Sequence, residues 1–258
     1  MDKLPLGATV DFSGWGEPQL NPAFTDMVLY AHSTGHPMLL YSTFVGITRE
    51  SYERIRTIPF KTVVLHIPDQ DGNSHFEISE QYLELLDLVL RDSAAGRFRI
   101  TGYSCHGPVH PAVADIFKKN GLSVPTGTPF NNLGDRAGNL KNEEVRHSPY
   151  VAGHICCRFN AEEFSFGVLL PDGTVCLCCQ DMGMDYVLGN LLMQSYNEIM
   201  RGEELRKLRR CMKCEKAGDC LCRHCGSAVK FNYFKLIRRK VALRTRIKNF
   251  IKRVSHNS

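Results

Sequence analysis

The chain has 258 residues, 43% hydrophobic and 23% charged, enough for one large globular domain or a large and a small one, in a balance that argues against disorder. No apolar run is long enough to cross a bilayer, and Met1-Asp2-Lys3-Leu4-Pro5 lacks the basic-then-apolar layout of a secretory signal, so a cytoplasmic location is expected. The net charge of +5 is unevenly spread: eleven Lys or Arg and no acid follow Asp219, whereas the residues up to it carry 21 bases against 27 acids.

In chain order, Ala8 to Ser13, Met38 to Phe44, Lys61 to Ile67 and Phe98 to Tyr103 have the apolar character of strands. Helices are expected between them. Asn21 caps the first, with Pro22 in its first turn and Gly35 past its end. Its apolar face is Phe24, Met27, Val28 and Ala31. Thr48 and Ser79 are caps for the next two, and Pro111 and Gly121 bracket a fourth with Val113, Ile116 and Phe117 inward. Repeated βα units predict parallel strands covered by helices, as an open sheet or a barrel, with function gathering at the carboxyl ends of the strands. Gly14-Trp15-Gly16-Glu17-Pro18, Thr43, the loop from Asp69 to Asn73 and Cys105-His106 fall at such ends. Each also reads as a plain connecting loop. For Cys105 a small buried thiol is the simpler reading, and a proton or radical donor near substrate the alternative.

The character changes at about Arg146. Phe164 to Leu170, the turn Pro171-Asp172-Gly173 and Thr174 to Cys178 predict a β-hairpin. Ser195-Tyr196-Asn197-Glu198 has the pattern of a capping box, and a charged helix with Glu203 and Lys207 at i, i+4 runs into Cys211. From Phe234 onward, Ile237, Val241, Ile247, Phe250, Ile251 and Val254 recur at helical spacing among Lys and Arg. Such a basic amphipathic helix suits an anionic membrane surface or an acidic partner, or packs back on the acidic body. No base-reading motif predicts specific nucleic-acid recognition.

Cys105 stands alone, while the other ten cysteines lie between Cys156 and Cys225. In a reducing compartment such clustering points to metal or redox chemistry rather than disulfides. Cys157 precedes the hairpin, Cys178 and Cys179 end its second strand, Cys211-x2-Cys214 follows the helix, and Cys220, Cys222 and Cys225 come in quick succession. Thiolates converging from several turns suit an iron–sulfur cluster, whose irons take soft ligands. Zinc is the rival, because Cys211-x2-Cys214 with Cys222-x2-Cys225 supplies four thiolates for a tetrahedral site. The short gap between those pairs is unlike a zinc ribbon, and zinc alone leaves Cys157, Cys178 and Cys179 unexplained.

The order Cys157, Gly173-x4-Cys178, Cys211-x2-Cys214-x5-Cys220 resembles the SPASM domain, the auxiliary-cluster extension of radical SAM enzymes. Leu170-Pro171-Asp172-Gly173-Thr174-Val175, Cys178-Cys179-Gln180-Asp181 and Leu188-Gly189-Asn190 resemble it too. The resemblance implies that Cys157, Cys178, Cys211 and Cys214 ligate one auxiliary [4Fe–4S] cluster, with Cys156 and Cys179 as substitutes for their neighbours. Where the family pattern places a further cysteine after Cys220, this chain has His224, flanked by Cys222 and Cys225. One cluster is therefore the expected number, and a second, held by some of Cys176, Cys220, Cys222 and Cys225, is the alternative.

Ser13-Gly14-Trp15-Gly16-Glu17-Pro18 resembles the glycine-rich strand end of the radical SAM core, and Arg136-Ala137-Gly138-Asn139 a later element of it. The resemblance implies that Gly14, Gly16 and Glu17 meet the amino group of S-adenosyl-L-methionine, since glycine lets backbone approach closely and a carboxylate pairs with an ammonium. The implied fold is α/β: a partial radical SAM-type (βα) barrel of about five of six strands over residues 1–145, a small Cys-rich SPASM-like α+β domain over 146–228, and a basic tail over 229–258. The C-x3-C-x2-C motif that holds the cofactor-cleaving cluster is not in the sequence, and a missing N-terminal segment is the simplest account. The expectation is an iron–sulfur protein derived from an enzyme that modifies a peptide, protein or metabolite, without reductive cleavage by this chain alone. The alternative is a non-catalytic iron–sulfur or zinc interaction module.

Overall fold

The computed structural model describes residues 4–5, 7–127, 134–141, 145–159, 164 and 167–235; the expected basic helix lies almost wholly outside them. The chain divides into two compact units, Met1–Leu133 and Gly134–Ser258. Among the described residues, no helix is long and apolar enough to cross a membrane.

The first unit holds four parallel strands in chain order: β1 (Val10–Phe12), β2 (Met38–Ser42), β3 (Thr62–His66) and β4 (Gly102–Ser104). Between and after them run α1 (Phe24–Ser33), α2 (Arg49–Ile55), α3 (Glu80–Ala94) and α4 (Pro111–Lys119). Alternation along the strands sorts their side chains. Met38, Leu40, Val63 and Leu65 join Val28, Leu86 and Phe117 from the helices in one core, whereas Asp11, Tyr41 and His66 are on the more exposed side.

The expected caps are in place: Thr48 Oγ1 accepts from the Ser51 N–H at 3.1 Å, and Ser79 Oγ from the Tyr82 N–H at 3.2 Å. Asn21 acts one step early, its Oδ1 taking the Ala23 N–H at 2.9 Å, so α1 starts at Phe24. The strand expected from Phe98 begins only at Gly102. Phe98 instead turns into the core, where its ring meets Phe44, Tyr52 and Phe60 edge to face at 5.7–6.1 Å. Thr101 bonds Val63 through both its N–H and its hydroxyl, occupying the edge where the strand would have started. Four strands are thus seen among the described residues of the first unit, and a fifth is not.

The second unit is assembled from shorter pieces. β5 (Ile155–Cys157) pairs antiparallel with β9 (Ala228–Lys230), and β6 (Val168–Leu169), β7 (Thr174–Cys176) and β8 (Val187–Asn190) form an antiparallel sheet. The predicted hairpin is there with shorter strands. Gly173 takes φ +84 in its turn, a conformation that favours glycine, and Asp172 Oδ1 accepts the Thr174 N–H at 2.9 Å. α5 (Tyr196–Met200) opens on the Ser195–Glu198 capping box, and α6 (Glu203–Lys213) carries Cys211 in its last turn with Cys214 just beyond. Residues 134–141, expected in the first domain, cluster with this unit. Asp135 accepts from Ser148 N and Oγ, and the Asn139 side chain donates to Gln180 O and accepts from Gly183 N.

Candidate metal centre

Two backbone devices bring distant thiols together in the second unit. The first is the β5–β9 ladder, where Cys157 lies opposite Ala228. Ala228 N–H bonds back to Cys225 O at 2.8 Å, and the Ser227 N–H donates to Cys225 Sγ at 3.4 Å, so Cys225 is folded beside Cys157. The second is the loop from Cys178 to Tyr186. Buried Asp181 shapes it by accepting the Asp185 and Tyr186 N–H groups at 3.1 and 3.0 Å. Tyr186 then receives the Leu177 N–H on its carbonyl and the Leu221 N–H on its hydroxyl, both at 3.0 Å. This ties the Cys178 end of the hairpin to the short turn Leu221–His224, which carries Cys222.

The electrostatics follow that geometry. Burial pushes the Cys222 thiol well above its ordinary range, and the sulfurs of Cys220, Cys178, Cys225 and Cys157 push it further. Burial lifts Cys178 to about 11, with Cys179 and Cys225 adding and backbone N–H groups opposing. Cys225 is raised by burial, against the Ser227 hydrogen bonds and with Cys157 adding. Burial and neighbouring sulfurs thus raise Cys178, Cys222 and Cys225, with Cys157 among the neighbours of Cys222 and Cys225; all four cysteines are partly exposed.

The expected partners Cys211 and Cys214 stand differently. Cys211 donates to Gly218 O at 3.1 Å and contacts Cys220, whose thiol is pushed up to about 12 by burial and then by Cys211. Cys214 is exposed, as is Cys179, whereas Cys156 and Cys176 are buried. Cys222-x2-Cys225 was visible in the sequence as a pair, but nothing local tied it to Cys157. Two further residues had no sequence signal at all: Tyr186, and Arg223, whose fully buried side chain donates to the Val151, Gly153 and Cys211 carbonyls.

Four thiols with no carboxylate among them form a soft donor set that fits iron–sulfur ligation, and the N–H donated to Cys225 Sγ is the kind of hydrogen bond that tunes such a centre. Among the described residues, no group of three or more His, Cys, Asp or Glu side chains is arranged to hold a single metal ion.

At the strand ends of the first unit, Gly14 takes φ +139, and no atom stands within 4 Å of where a Cβ would lie at Gly14 or Gly16. The Glu17 carboxylate is fully engaged. Oε1 accepts from Ser42 Oγ at 2.7 Å and Gln19 N at 3.1 Å; Oε2 accepts from Thr43 N at 2.6 Å and Thr43 Oγ1 at 2.7 Å. All four lone-pair positions are taken, which leaves none for a ligand ammonium. Burial holds His66 below its ordinary range against the pull of Glu17, with His106 adding to the depression. Cys105 is buried and donates to Gly107 O at 3.1 Å, and burial raises its pKa, so it stands as a neutral thiol.

Residues 155–226 match the family model of the SPASM domain, described as an iron–sulfur cluster-binding domain. The crystal structure of BtrN in complex with AdoMet and 2-DOIA is similar at a TM-score of 0.53 and 16% identity, over 85% of this chain and 73% of that one. That of Streptococcus suis SuiB bound to S-adenosylmethionine gives 0.46 and 12%, over 89% of this chain and 62% of that one. No curated protein matches the sequence. The likeness to BtrN is one of fold, and the domain match covers the whole stretch in which the thiols converge. Residues 155–226 are thus similar to the SPASM iron–sulfur cluster-binding domain, and the fold is similar to that of BtrN.

Proposed function

We propose that this chain holds one [4Fe–4S] cluster through Cys157, Cys178, Cys222 and Cys225, and acts as an auxiliary-cluster protein in the modification of a peptide, protein or metabolite. The observation that carries this reading is geometric: the β5–β9 ladder and the Tyr186 hydroxyl bridge draw Cys157, Cys178, Cys222 and Cys225 together from both ends of the matched segment. Such a cluster, when bound, exchanges single electrons. The protein's own part is to supply four thiolates from two anchored turns, to bury Cys178 and Cys222 in part, and to hold an N–H on Cys225 Sγ. Loading must displace thiol protons, since burial raises the thiols of Cys178, Cys222 and Cys225.

BtrN and SuiB are each solved with the adenosyl cofactor. Here the saturation of Glu17 does not fit the expected contact with an ammonium, so no step is assigned to that cofactor. The same observation favours a second reading, a cluster-binding module without catalysis of its own. Formation of 5′-deoxyadenosine by the loaded chain under reducing conditions would exclude it.

Anaerobic reconstitution followed by iron, sulfide and zinc analysis tests the main proposal. Broad absorption near ~400 nm with matching iron and sulfide is expected. It should vanish in Cys222→Ser and Cys225→Ser and persist in Cys214→Ala. Zinc in place of iron, or loss of the cluster in Cys214→Ala alone, refutes this ligand set.

A further inference from the structure

Arg223 has the largest fully buried side chain among the described residues, with 0% of its surface exposed. Its Nη1 donates to Val151 O at 3.0 Å and Gly153 O at 2.9 Å, and its Nη2 donates to Cys211 O. The guanidinium carbon lies 5.8 Å from the centre of the Tyr150 ring, and Nε has no hydrogen-bond partner. Every one of these contacts is formally neutral. Asp219 senses the charge, but its carboxylate is engaged by His224 at 2.8 Å and by the Cys220 N–H.

A buried guanidinium held only by carbonyls and a ring is under-compensated, because dipoles offset only part of the desolvation cost of a full charge. The Cys211 carbonyl, at the end of α6, contributes the partial negative charge of a helix C-terminus and no more. What surrounds this cation in sequence and space is sulfur: Cys222 and Cys225 flank it on the chain, and Cys211 and Cys220 lie against it. Four thiolates around an iron–sulfide core carry net negative charge in both oxidation states, and one-electron reduction deepens it. A buried cation one residue from Cys222 and two from Cys225 favours the more negative state.

We propose that Arg223 is the counter-charge of the cluster held by Cys157, Cys178, Cys222 and Cys225, a positioning residue that raises the reduction potential of that centre. This rests on the cluster assignment above. Iron and sulfide content report on that assignment, whereas the potential reports on Arg223.

The test is a redox titration of the full chain, loaded anaerobically and reduced with dithionite as the electron source, with the reduced cluster followed by electron paramagnetic resonance. Arg223→Gln removes the charge and keeps an amide N–H donor; Arg223→Lys keeps the charge and loses the fork. Arg223→Gln, loaded with wild-type iron, should reduce with an equilibrium constant at least tenfold lower, ~59 mV for a one-electron couple. Arg223→Lys should stay near wild type. An unshifted potential in Arg223→Gln, or an equal drop in both variants, overturns the proposal. If Arg223→Gln takes up no iron, Arg223→Lys decides: loading at the wild-type potential supports the counter-charge, and failure to load shows a purely architectural role.

Discussion

In the first unit the interior is built from rings and aliphatic chains. Phe44, Tyr52, Phe60 and Phe98 meet edge to face, above a parallel sheet whose strands and helices alternate along the chain. In the second unit the buried cluster includes Cys156, Cys211 and Cys220 beside Ile155, Leu205 and Leu208, and its strands are two to four residues long. Strands that short contribute few ladder bonds, so they need something else to hold them. The contrast teaches that one chain can draw its order from two sources. The first unit rests on burial of apolar surface; under the proposed ligand assignment the second adds to such burial the bonds of an inorganic centre, as small metal-binding domains do.

The largest effect should come from removing a thiol at that centre. Cys222→Ser is expected to abolish cluster loading, while urea unfolding of the first unit, read through Trp15, the only tryptophan, stays unchanged. A shifted Trp15 transition breaks the comparison. The converse substitution, Phe98→Ala, should cost the first unit about 3–5 kcal/mol by the same fluorescence measurement, because it empties the middle of the ring cluster. Iron uptake should be unaffected.

Smaller effects sharpen the contrast. Ser195→Ala deletes the capping box of α5 and should lower the stability of the loaded second unit by about 1 kcal/mol, measured by circular dichroism in urea. In the first unit, Asp87 is lowered in pKa: burial opposes the shift, but hydrogen bonds from Asn120 and Lys119 and the charges of Lys119 and Arg91 outweigh it. Its folded value lies below that of the unfolded chain, so its stabilisation is present above the ordinary 3.8 and is lost as pH falls through the lower folded value. Asp87→Asn should therefore flatten the acid limb of the Trp15 unfolding curve by roughly 1 kcal/mol or less, given the exposed partners Lys119 and Arg91.

What the sequence disclosed was mostly short in range. Thr48, Ser79 and Ser195 cap their helices because a cap needs only the next three residues. The four parallel strands were readable from periodicity, and the cysteine spacing announced the SPASM segment. The strand start at Phe98 was misplaced because its ring answers to Phe44 and Tyr52, which lie far along the chain. Cys222 and Cys225 could not be joined to Cys157 by inspection, since a ladder between residues 155–157 and 228–230 makes that connection. Arg223, among thiols, looks like any surface arginine until its burial is known.

The β5–β9 ladder pairs Ile155 with Lys230 and Cys157 with Ala228, so the matched segment starts and finishes at neighbouring points in space. Units with adjoining ends tolerate insertion into other folds, because the host loop need open only by the width of one strand pair. Residues 155–230, the matched segment with β9, are in this sense a cassette: spliced into a surface turn of an unrelated scaffold, they would bring their own closure with them.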